Sequence, residues 1–125
     1  MNNPLNIRYS AGNNWKGQRE PHNGFCSFDT LHNGLRAAAK LLRNYIELRG
    51  CNTIELIVSR WAPSNENNTE NYIRFVSSKT KMPRDKPIRF IKSHIICLMH
   101  AMAKMESGIE LSYDQLLSAY ESAKG

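Results

Sequence analysis

No apolar run in this sequence could cross a membrane as a helix. The longest, Ile95 to Met99, has five residues, where a spanning helix needs about 20. The first residues, Met-Asn-Asn-Pro, carry no basic flank and no apolar stretch, so no secretory signal peptide is expected. Cysteine is scarce. Cys26, Cys51 and Cys97 are far apart and form no C-x-x-C pair. A structural zinc site is not expected, nor is any other metal or cofactor. Reduced and mostly buried thiols are expected, as in a protein made in the bacterial cytoplasm. Cys26 and Cys97 fit best as small core residues rather than nucleophiles. His22, His32, His94 and His100 show no ligand spacing and fit structural or surface roles. Low-complexity tracts are missing too, which excludes collagen-like and fully disordered chains.

Acidic residues are outnumbered. There are 17 Lys and Arg against 11 Asp and Glu, a formal charge of +6. An anionic partner is implied: nucleic acid, anionic membrane or a bacterial wall polymer. The 125 residues, 41% of them hydrophobic, suffice for one core and not two. A single domain over 1–125 is expected, with no internal repeat and no linker.

Residues 1–29 differ from the rest. Asn, Gly, Pro and aromatics dominate there. Leu5 to Tyr9 alternates apolar and polar, as does part of Phe25 to Phe28, and both read as short strands. Turn residues lie between them at 12–17 and 21–24, so a small hairpin with a long loop is expected. From Asp29 the period becomes helical. Asp29 or Thr30 caps a first helix that Gly50 stops. Asn52 or Thr53 caps a second, through Trp61, ended by Pro63. Asn68 or Thr69 opens a third. Residues 77–87 read as a basic loop, and a fourth helix is expected from about Ile88 to Ser107, stopped by Gly108. Ser112 and Gln115 have capping-box spacing and open a fifth, to about Ala123. The fold class is mainly α (α+β): a helical lobe over 30–125 and a small N-terminal β lobe over 1–29.

Three groups of residues could carry chemistry. Glu106 ends the most apolar helix, where the helix dipole and the neighbours Met102 and Met105 disfavour a charge. A raised carboxyl pKa suits a general acid, though an exposed glutamate on a last turn is the simpler account of the spacing. The second group is Asn3, Asn6, Arg8, Tyr9, Trp15 and Gln18. Amides with an indole suit a sugar ring, and a turn-rich lobe capped by its Trp accounts for them equally well. The third group is Trp61, Glu66, Asn68 and Tyr72. Trp61 and Tyr72 could line a groove and Glu66 could be a second carboxylate, but helix packing and capping explain Trp61 and Asn68 without a ligand.

The string Asn-Asn-Pro-Leu-Asn-Ile-Arg at 2–8, Trp15-x-Gly17, Gly34-x-Arg36-Ala37, Asn52-Thr53-Ile54 and Arg60-Trp61-Ala62-Pro63 resembles a family of small phage and prophage proteins. Its members are often labelled structural or virion proteins. Glu106-Ser107-Gly108 is similar to the helix end that carries the catalytic acid in the lysozyme-like superfamily, which includes bacterial glucosaminidases and lytic transglycosylases. Glucosaminidases also carry a pattern like Asn-Asn-x-x-Gly-Ile-Lys, then Trp-x-Gly, then Phe-x-x-Tyr-x-Ser. This sequence is similar at 2–8, 15–17 and 25–30, with Asn6 in place of the glycine. Here the Glu-Ser-Gly helix comes last instead of first, as a circular permutation would give. Permutation is tolerated where domain termini lie near one another at the surface.

The resemblance implies a lysozyme-like domain that cleaves peptidoglycan or another anionic wall glycan. Glu106 would be the general acid, with Asn3, Arg8 and Trp15 near the cleft. It also places Glu106 at the floor of a cleft, facing the 2–28 segment. Glu20 and Glu66 are candidates for a second carboxylate, which a lytic transglycosylase or a substrate-assisted mechanism would not need. Two other classes compete. One is a catalytically silent virion or wall-binding module. The other is a nucleic-acid binder using Lys79, Lys81, Arg84, Lys86, Arg89 and Lys92, without a helix-turn-helix signature. A monomer is expected. It would reach the wall after lysis, by virion delivery or by injection.

Overall fold

A computed structural model describes residues 1–64 and 68–125. The described chain is a helical bundle with a two-stranded antiparallel hairpin near its N-terminus. The hairpin strands are β1 (Gln18–His22) and β2 (Phe25–Phe28). The helices are α1 (Leu31–Leu48), α2 (Ile54–Trp61), α3 (Thr69–Thr80), α4 (Lys92–Ser107) and α5 (Tyr113–Lys124). None of the helices is long and apolar enough to cross a membrane.

The hairpin corrects the strand assignment from sequence. Residues 18–22, read as loop, form β1, which pairs with β2. Asn23 and Gly24 make the turn with φ of 51° and 84°, the left-handed pair that a two-residue type I′ turn requires. The 5–9 stretch, read as a strand, lies beside β2 and joins it by a single bridge, Arg8 to Phe25. Its alternation has another cause. Leu5 and Ile7 are buried by a turn at Asn3–Asn6, in which the Asn6 N–H donates to the Asn3 carbonyl at 3.1 Å.

Four helices begin where a side-chain oxygen accepts a free N–H of the first turn. Thr30, Thr53 and Asn68 cap α1, α2 and α3, and Ser112 with Gln115 completes a capping box on α5. Helix α3 runs to Thr80, four residues into the expected loop. Helix α4 starts at Lys92, four residues later than expected. Residues 88–91 are instead held by other bonds. The Ile88 N–H donates to the Asn52 carbonyl, and the Arg89 N–H donates to Nδ1 of His94.

Helix α4 is the centre. Ile95, Leu98, Met99, Ala101, Met102 and Ala103 are buried, the all-round burial of a core helix. Helices α3 and α5 pack on it, α5 also lies along α1, and α2 packs on α3. The small residues Ala37, Ala38 and Ala39 on α1 let its neighbours approach closely. Arg43 of α1 donates to the carbonyls of Ala123 and Lys124, placing a cation on the unpaired end of α5. Cys26 is buried, while Cys51 and Cys97 are only partly so, short of the burial expected. Burial raises the thiol pKa of Cys26 and of Cys97, which suits inert side chains.

Candidate active site

The site begins with the backbone at Asn6. Its φ is 53°, in the left-handed region where glycine is easiest and asparagine the most tolerated alternative. That is the position at which the sequence has Asn where the glucosaminidase pattern has Gly. The side chain then reaches the end of α4. Nδ2 donates to the Glu106 carboxylate Oε1 at 3.0 Å and to the Glu106 carbonyl at 3.1 Å. The second bond satisfies one of the orphan carbonyls of a helix end. Ser107 Oγ donates to the Pro4 carbonyl at 2.6 Å. Tyr72 on α3 donates its hydroxyl to the other carboxylate oxygen, Oε2, at 3.1 Å.

Glu106 is therefore a half-buried carboxyl held by two donors from different parts of the chain. Burial raises its pKa, while the Asn6 and Tyr72 bonds and the Arg8 charge pull it down, with burial dominant. Tyr72, buried and facing the carboxylate, has its own pKa pushed far up, so its hydroxyl stays a donor.

Asn6 also borders a groove of about 450 Å³, in the size range of ligand sites. Its other amides are Asn13 and Asn44, and its cations are Arg8, Arg49 and Arg60. One wall is aromatic. Tyr45 and Trp61 meet edge to face at 5.6 Å, and the Arg60 guanidinium lies over the Tyr45 ring at 5.4 Å. Among the described residues no carboxylate lines this groove. Glu106 is not among the lining residues, in contrast to the cleft-floor position expected for it, and it meets the groove only through its bond from Asn6.

The other candidates separate into distinct places. Asn3 is buried and fully engaged. It accepts from the Ile7 N–H and donates to the carbonyls of Ile7 and Cys26, so it builds the turn instead of facing the groove. Trp15 packs against the core. Its Nε1 is buried with no hydrogen-bond partner among the described residues, and its backbone N–H donates to Gln18 Oε1. Trp61 lines the groove, but its Nε1 donates to the Leu5 carbonyl at 2.8 Å, which fastens the N-terminal turn to α2. Tyr9, Gln18 and Glu20 border a second, more open hollow, which shares Asn13 with the first. Asn68 caps α3. Glu66 lies outside the described residues.

Sequence reasoning missed Asn13, Asn44, Tyr45 and Arg49. The last three sit at the C-terminal end of α1, where Tyr45 falls on the apolar period and reads as core, while Asn44 and Arg49 fall off it. No group of three or more His, Cys, Asp or Glu among the described residues could hold a metal ion. The basic loop is also partly committed elsewhere. Arg84 bonds Glu55 at 2.7 Å and Glu70 at 2.6 and 2.9 Å, clamping the loop onto α2 and α3.

No family model matches the chain. It is similar to Protein P5 of Pseudoalteromonas phage PM2, at 39% identity over 125 aligned residues that take in 96% of this chain and 77% of that protein. The chain belongs to the Protein P5 family. It is thus a relative of a phage protein along nearly its whole length, and the Asn6–Glu106 contact and the arginine-lined groove are features of this P5-family member.

Proposed function

We propose that this P5-family protein cleaves the glycan of peptidoglycan, with Glu106 as the general acid. The observation that carries the reading is the setting of Glu106. It is half-buried, its pKa is raised by burial, and it adjoins a groove of amides and aromatics through Asn6. A carboxyl of that kind keeps its proton to higher pH and can deliver it to a glycosidic oxygen as the C–O bond breaks. Tyr72 and Asn6 then stabilise the carboxylate left behind. In this reading Glu106 is the acid and the ligand's own hydroxyl or acetamido group attacks the anomeric carbon, a route that needs no second carboxylate. The lysozyme-like, circularly permuted ancestry suggested by the motif order belongs to this same proposal. So does delivery to the wall by lysis, virion or injection.

Turbidity clearing of purified peptidoglycan tests it. Glu106→Gln should reduce clearing by about 100-fold or more, the usual scale for losing a general acid, with an unchanged circular dichroism spectrum. Clearing that survives this substitution overturns the assignment. Wall pelleting by both proteins with clearing by neither would favour a silent wall-binding module.

A further inference from the structure

We infer that Asn6 is a positioning residue that joins ligand to acid: its Oδ1 accepts a hydroxyl or acetamido N–H of the saccharide in the groove while its Nδ2 holds Glu106. The inference rests on reading the groove as a glycan site with Glu106 beside it, and it adds how the two are connected.

Glu106 does not line the groove, so a neighbour has to connect it to a ligand there. Asn6 bonds its carboxylate at Oε1 and Tyr72 bonds it at Oε2. Of the pair, Asn6 lines the groove and Tyr72 does not. The orientation of the Asn6 amide follows from its partners. A backbone carbonyl only accepts, so the end of the amide that faces the Glu106 carbonyl at 3.1 Å is the NH2 group. Its two N–H groups serve that carbonyl and Oε1. What the amide has left is an acceptor, Oδ1. No described residue bonds that oxygen, and it is not among the buried polar atoms left without a partner. A ligand that completes the amide therefore brings a donor.

The backbone fixes where this oxygen stands. Asn6 sits at φ 53°, in a turn closed by its own N–H on the Asn3 carbonyl. Leu5 beside it is tied to Trp61, which lines the same groove. The amide is thus ordered before a ligand arrives, and the contact costs little further ordering. An amide that accepts at its oxygen donates more strongly at its nitrogen. A seated saccharide therefore tightens the hold on Glu106. Two substitutions separate the two roles. Asn6→Asp keeps an acceptor toward the groove and loses the donor toward Glu106. Asn6→Gly loses both, and glycine adopts this φ without strain. Tyr72 and Arg8, which also act on Glu106, stay in place in both.

Two measurements read these roles. The first is pelleting with purified sacculi, in salt that screens charge, with each substitution placed in the full chain carrying Glu106→Gln, which removes cleavage. The second is titration of the Glu106 carboxyl by NMR of labelled glutamate, on the single variants and without sacculi. Asn6→Gly should weaken pelleting about 10-fold, a loss of about 1.4 kcal/mol, and Asn6→Asp should stay within about 2-fold. Both should move the Glu106 titration to higher pH, because a donor that favours the carboxylate is gone. Circular dichroism checks that both variants fold. If Asn6 only braced its turn, both variants would lower the thermal midpoint and leave pelleting and titration where they are. That result overturns the proposal. So does pelleting that Asn6→Gly leaves unchanged, pelleting that Asn6→Asp loses as fully as Asn6→Gly, a titration that neither variant moves, or sacculi that Glu106→Gln does not bind. Clearing that survives Glu106→Gln with these shifts intact fails the catalytic reading and leaves the link standing. Clearing lost in Glu106→Gln without these shifts does the reverse.

Discussion

Asn6 serves two ends of the chain with one residue. Its left-handed backbone closes the N-terminal turn, and its amide holds Glu106. Gly34 shows a similar economy by having no side chain: a Cβ there would collide with the Asn2 carbonyl. Gly34→Ala should therefore push residues 1–4 off α1 and cost about 1–3 kcal/mol, read as a lower thermal midpoint. Glu106 has the opposite effect on stability. Its folded pKa is raised above the unfolded value, so its contribution is fully present below the ordinary glutamate pKa. That contribution is lost as pH rises through the raised value. Glu106→Gln cannot ionise. Its unfolding midpoint should equal the parent's in acid and exceed it at neutral pH, measured by thermal scans across that window. At this scale the sequence was informative about Glu106, because Glu-Ser-Gly at the end of an apolar helix is a compact pattern. It said little about Asn3 and Trp15. An amide that binds sugar and one that braces a turn are the same residue, and only the burial of Asn3 and its three bonds to backbone separate them.

Among the elements, the helices were legible wherever a capping side chain preceded an apolar period. Of the paired candidates Asp29 or Thr30, Asn52 or Thr53 and Asn68 or Thr69, the structure uses Thr30, Thr53 and Asn68, and Ser112 caps α5 as expected. Ser112→Ala should remove the Gln115 N–H bond and half of the capping box. The expected cost is about 1 kcal/mol, measured by denaturant titration. Where no cap existed the boundary slipped. Ile91, the N-cap of α4, makes no side-chain cap bond, and the apolar period continues backwards into residues 88–91, which are not helical. The hairpin failed for a different reason. Alternation reports which side chains are buried, not which strand pairs with which, and Leu5 and Ile7 are buried without a ladder. The strand that does pair, β1, is mostly exposed, so it had no apolar period to read.

At the scale of the whole molecule, the groove is assembled rather than encoded. Its arginines come from positions 8, 49 and 60, and no stretch of sequence holds them together. Charge counting found the excess but gave it no place, and the one basic cluster visible in the sequence was the 79–92 segment, where Arg84 is occupied by Glu55 and Glu70. The contact between Asn6 and Glu106 spans 100 positions, as does the neighbouring bond from Ser107 to Pro4, at 103. This separation also bears on timing. Closing so long a loop carries an entropic cost that grows with its length, and contacts of high sequence separation slow folding. During synthesis, a ribosome must release the end of α4 before Glu106 can meet Asn6. Until then the nascent chain has its first helices but not its joined site. Whatever chemistry Glu106 performs begins only after most of the protein has been made.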